Sequence, residues 1–152
     1  MEAVILLIGV ALLVIAAYGD VKTLRIPHLL VAAVGALGVL RLIVIGDPSV
    51  AVYTAGAGAA VFVIAFLLFW LGLVGGGDAK LISTMALLVG YHDLFTFLVL
   101  MSICGALLSL AVLLTHRSSE PSPSKALLPV PYGVAIAAGG AVTLLFQPCL
   151  FG

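Results

Sequence analysis

Charge is what this sequence lacks most. Of its 152 residues, six are Lys or Arg and six are Asp or Glu, only 8% of the chain, and the net charge is zero. A soluble globular domain carries about 25% charged and roughly 45–50% apolar residues; here 64% are hydrophobic. So few charges cannot cover a water-facing surface, which excludes a soluble enzyme. The absence of a clustered basic face excludes nucleic acid as a partner. Cysteine is nearly as scarce. Cys104 sits in an apolar run and Cys149 near the C-terminus, with no C-x-x-C pair between them, so a structural zinc site has no framework and both read as small hydrophobes. His28, His92 and His116 fall on different connections without ligand spacing. No metal and no cofactor is expected.

Long apolar runs are what the chain has in excess, at about 3–18, 29–46, 50–74, 79–91, 94–115 and 126–147. At about 20 residues per membrane-crossing helix, six spans take roughly 120 residues and leave about 32 for connections. The expectation is an all-α, polytopic integral membrane protein of about six transmembrane helices, with residues 1–152 forming one transmembrane domain. The first run could pass for a secretory signal, but Glu2 stands where a basic n-region belongs and no clear A-x-A site follows. It reads as a retained span. Pro27 suits a helix start, and Gly46-Asp47-Pro48-Ser49 a tight turn. Gly75-Gly76-Gly77 ends the third run and offers Asp78 as N-cap of the fourth. Asp47 and Asp93 read as a turn former and a helix cap, and Trp70 and Tyr53 as interfacial or packing aromatics. Gly56 with Ala60, and Gly133 with Ala137, have the small-xxx-small spacing that lets membrane helices pack closely.

Orientation follows from the basic residues. Lys22, Arg25, Lys80, Arg117 and Lys125 fall on the first, third and fifth connections, against Arg41 alone on the other side, where it can snorkel outward. Those three connections are expected to be cytoplasmic, with both termini outside. This places Asp20, at the inner end of the first span, on the same face as Asp78, at the inner end of the third. Carboxylates at such positions are functional candidates by default. From Asp78 to Asp93 is 15 residues, about 22 Å of helix against a hydrocarbon core roughly 30 Å thick. Either Asp78 lies below the inner interface, or Asp93 is the sunken residue, or the bilayer thins.

Two carboxylates in one partly dry site can run aspartic-protease chemistry. Like charges a few ångströms apart cannot both ionise, so such a pair holds one proton near neutral pH. The ionised partner activates water; the protonated one polarises the scissile carbonyl and helps the amine leave. Which aspartate does which is a property of the pair. The competing readings are a small ion-coupled transporter or channel component, with the aspartates binding or relaying ions, and a non-catalytic scaffold in which they cap helices. Asp20 also reads as a loop charge balancing Lys22 and Arg25, and Lys80 as a positive-inside anchor.

Asp20-x5-Ile26-Pro27, followed by Gly75-x-Gly77-Asp78-x-Lys80-Leu81, resembles the type IV prepilin peptidases, the G-x-G-D aspartic membrane proteases. The compact size and the Leu128-Pro129-Val-Pro131-Tyr132-Gly133-Val-Ala135-Ile136 stretch resemble most the small members serving Tad/Flp pilus assembly. The resemblance covers nearly the whole chain. It implies a catalytic pair at Asp20 and Asp78, motif glycines at Gly75 and Gly77 that let backbone pass close to substrate, and supporting positions at Lys80, Ile26 and Pro27. It implies endoproteolytic removal of a short basic leader from a prepilin, just before the prepilin's hydrophobic helix, at the cytoplasmic face of the bacterial inner membrane. The family usually has Asn after Ile-Pro, where this chain has His28. Larger bifunctional members add a cytoplasmic domain with C-x-x-C pairs and N-methylate the new terminus; having neither, this chain is expected to cleave without methylating.

Overall fold

The computed structural model describes residues 2–23, 27–116 and 132–150. Ile26, Arg25, the polar connection with Arg117 and Lys125, and Leu128 to Pro131 lie outside the described residues. Six helices follow in order: α1 (Glu2–Thr23), α2 (His28–Ile45), α3 (Pro48–Trp70), α4 (Gly76–Val89), α5 (Leu94–His116) and α6 (Tyr132–Leu150). Among the described residues there is no strand. Four helices among the described residues, α1, α2, α3 and α5, are long and apolar enough to cross a membrane.

The helix ends show why the chain breaks where it does. Gly46 closes α2 at φ 69°, donating to the Leu42 carbonyl, and Asp47 caps α3 by accepting from the Ser49 N–H at 2.9 Å, with Pro48 at the first helical position. Both Ser49 donors fall on this carboxylate, which holds Asp47 below the usual range for its type. The third helix stops at Trp70, short of the expected 74. Gly72 adopts φ 73°, its N–H donates to the Phe69 carbonyl and that of Leu73 to Leu68, a reversal that spends the last carbonyls and turns the chain out of helix. At the other extreme α1 runs past Asp20 to Thr23, so Asp20 is part of a helix.

The shortest helix is the central one. α4 packs against α2, α3 and α6, while α1 lies against α6 and α2, and α5 against α6. Leu81, Met85 and Leu88 of α4 are sealed from solvent together with Leu13, Val34 and Phe97 of the surrounding helices. Its hydroxyls do not leave polar atoms stranded: Ser83 donates to the Ala79 carbonyl at 2.7 Å and Thr84 to those of Lys80 and Leu81. Meanwhile Leu7, Val14, Phe66, Trp70, Leu107 and Leu113 face outward. Apolar residues on the outside of an apolar bundle are what lipid, not water, requires. The protein is an all-α, multi-pass membrane protein.

On α3 close approach is carried by another glycine than the one expected, while Gly133 and Ala137 of α6 are both buried, as their spacing suggests. Gly56 and Ala60 face outward, and a side chain at Gly56 would meet nothing within 4 Å. On α3 it is Gly58 that makes room for Leu87, and on α6 Gly139 lets α5 come within 2.7 Å of an added Cβ, at the Met101 nitrogen. Arg41 also departs from expectation. It does not reach outward but turns inward, its Nη1 donating to the Leu88 and Val89 carbonyls at the end of α4, because those carbonyls have no helical partner in an apolar setting. Gly139→Ala is therefore expected to lower unfolding stability by about 1–3 kcal/mol, as overpacking does, and Gly56→Ala to leave it unchanged or raise it by up to ~1 kcal/mol. Thermal unfolding of both variants in one detergent checks this.

Candidate active site

Asp20 stands near the end of α1, where α1 packs along α6. It is 5% exposed, and its Oδ2 has no hydrogen-bond partner. The first amides of α6, those of Gly133 and Val134, face this carboxyl group. A helix start presents unpaired N–H groups and the positive end of the helix dipole, so it suits a carboxylate. The approach is possible only because residue 133 is glycine: an added Cβ would fall 2.7 Å from both Cγ and Oδ2 of Asp20. In the sequence Gly133 had seemed a packing residue of the last span. What could have singled it out is its place at the second position of α6, just after Tyr132.

Asp78 is the third residue of α4, not its cap. The N-cap is Gly75, with φ −68° and ψ 146°, and no side chain makes a capping hydrogen bond there. The Gly75 carbonyl takes the first helical bond, from Ala79 N–H at 3.0 Å. The tight glycine run lets the helix begin earlier than the first capping side chain, which removes the capping explanation for Asp78. The half-buried carboxyl group folds back over Gly75, where an added Cβ would lie 3.0 Å from Oδ2. Gly76, the unassigned position of the motif, has its own reason to be small: a Cβ there would press on the Phe69 ring at 3.2 Å. Gly77 is half-buried in the first turn, and Lys80 is exposed on the second. Pro27 is the exposed N-cap of α2, its carbonyl accepting from Leu30 and Val31, and His28 is the exposed first helical residue.

The fold brings Asp20 and Asp78 together from sequence positions 58 apart. They lie within electrostatic reach of one another, with α1 and α4 both seated on α6. One carboxyl group is enclosed and the other half-open. Such a pair can hold a single proton between two groups.

The sequence profile of the Type IV leader peptidase family matches residues 7–110, which include both aspartates and Gly75-x-Gly77-Asp78. The chain is also similar to a prepilin leader peptidase/N-methyltransferase of Bacillus subtilis (strain 168), 30% identical over 138 residues that make up 90% of this chain and 53% of that protein. The chain thus spans about half the length of this curated relative. No solved structure matches it. With more than half of its residues inside the family's profile and the two acidic motifs within that span, the chain belongs to the Type IV leader peptidase family.

Proposed function

We propose that this protein is a membrane-embedded aspartic endopeptidase that removes the leader from type IV prepilins, with Asp20 and Asp78 as its catalytic pair. The observation that carries this reading is the approach of two carboxyl groups from distant parts of the chain at one end of an apolar bundle. The ionised member takes a proton from water, and the oxygen of that water bonds to the scissile carbonyl carbon. The protonated member hydrogen-bonds the carbonyl oxygen as negative charge develops there. The proton then passes to the amide nitrogen, the C–N bond breaks, and the pair returns to its single-proton state. Gly133 and Gly75 act on this chemistry by leaving space for the two carboxyl groups.

Finer features belong to the same proposal. The substrate is a Flp-like prepilin, a reading supported by the resemblance of the Leu128 to Ile136 stretch. The site works at the cytoplasmic face of a bacterial inner membrane, supported by Lys22 and Lys80 on the same helix ends as the aspartates. A substrate whose leader ends where a hydrophobic helix begins would present its scissile bond near that interface. The new N-terminus is released unmethylated, a reading supported by the resemblance to the small family members rather than to the larger bifunctional ones.

The test is leader removal from a Flp-type prepilin in membranes, with folding checked by thermal unfolding of each variant. Asp20→Asn and Asp78→Asn are each expected to lose at least about 10²–10⁴-fold in rate while remaining folded, the scale of general acid–base catalysis. A well-folded Asn variant that still cuts at the wild-type rate would remove that aspartate from the mechanism. Gly133→Ala, which pushes the Asp20 carboxyl group aside, is expected to lose about 10²-fold, as a misplacement near 1 Å does. Wild-type activity in that variant would contradict the tight seat of Asp20 on α6. Mass spectrometry of the mature pilin made with S-adenosylmethionine present is expected to give an unmethylated N-terminus; a methylated one would overturn that part.

A further inference from the structure

The opposite end of the bundle from the two aspartates holds a second concentration of polar groups. A cavity of about 490 Å³ lies between the start of α1, the end of α2, the start of α3 and the end of α4. Gln147 of α6 donates from Nε2 to the Val89 carbonyl and to Oδ2 of Asp93, both at 2.7 Å. Arg41 donates to Leu88 and Val89, and the carboxylates of Glu2 and Asp93 are within its electrostatic reach. These bonds do not exhaust the polar atoms of the wall. Arg41 Nε, Thr54 Oγ1 and Gln147 Oε1 are buried without any partner, and Thr54 and Gln147 are 0% and 5% exposed. Buried polar atoms in proteins are very largely paired, so three orphans on one cavity need an occupant.

Water is a poor one. The space is many times the ~30 Å³ share of a single water, and much of its wall is Leu6, Leu42, Ile45, Leu87 and Val89, where waters would find no partners. An amphiphile fits better, with an apolar part for these side chains and a head for the polar cluster. The orphans specify that head. Arg41 Nε–H and the Thr54 hydroxyl offer donors, matching phosphate oxygens, and Gln147 Oε1 offers an acceptor, matching an N–H group. One guanidinium faces two carboxylates, Glu2 and Asp93, so a bare anion would meet a net negative wall. An ammonium group on the same head removes that conflict.

We propose that this cavity binds the headgroup of a zwitterionic aminophospholipid from the surrounding leaflet, its phosphodiester on Arg41 and Thr54 and its ammonium on Gln147 and the two carboxylates. The full chain, in nanodiscs of equal phosphatidylethanolamine and phosphatidylglycerol content, would be released and its retained lipids read by native mass spectrometry. Wild type is expected to keep one phosphatidylethanolamine per chain with at least a ~10-fold preference. Thr54→Val keeps the shape and removes the orphan hydroxyl. It is expected to lose that preference while unfolding in lipid-free detergent at the same or a higher temperature. Arg41→Gln is expected to lose it too; should that variant fail to fold, Thr54→Val alone decides. Equal retention of the two lipids, annular lipid only, would overturn the proposal, as would undiminished preference in Thr54→Val. A parallel arm adds inorganic phosphate in detergent; stabilisation by phosphate as large as by the lipid would also overturn it, in favour of a soluble ligand.

Discussion

A helix of 14 residues such as α4 is about 21 Å long, some 9 Å less than a hydrocarbon core of ~30 Å. In lipid every backbone polar group has to find a partner within the protein, and a helix this short brings both of its unpaired ends inside the apolar zone or close to it. Much of the structure answers that condition. At one end, Arg41 and Gln147 supply donors to the Leu88 and Val89 carbonyls. At the other, a run of glycines opens the helix and sets Asp78 in its first turn. Five longer helices then surround or extend the assembly, with α2, α3 and α6 packed directly on α4.

The same condition shapes the surroundings of Asp20. A carboxyl group that is 5% exposed would be costly in an apolar bundle without dipoles to face. The start of α6 supplies them, through the Gly133 and Val134 amides. Helix ends therefore do twofold work here. They are liabilities that need partners, and they are the only places in such a bundle where ionisable groups are tolerable. Both aspartates sit at one set of ends, and Arg41, Asp93 and Gln147 sit at the other.

The helical, membrane-spanning class was legible because apolar runs and their Gly and Pro breakers carry it locally. The shared end of Asp20 and Asp78 was legible through topology alone: an even number of crossings returns the chain to the same face. What could not be read were facts set by contacts across the fold. Arg41 looked free to snorkel, since nothing nearby in sequence says that the α4 carbonyls lie beside it. Asp78 looked like a cap, because the residue after three glycines usually is one; instead Gly75 itself caps and the helix starts earlier. Gly56 and Ala60 have packing spacing yet face outward, as a period of four cannot tell which side of a helix meets protein. Gly133 depends on Asp20, more than a hundred residues away in the chain. Its place at the start of α6 is a local hint, but the partner that makes the position matter is not.

The central claim is that Asp20 and Asp78 act as one unit. The most direct measurement compares residual leader-cleavage rates of both single Asn variants with that of the double variant, in the same membranes and at matched protein levels. Groups that share one proton and one water are non-additive, so the double variant should be no slower than the slower single. Losses that multiply would contradict the account and make the two aspartates independent contributors.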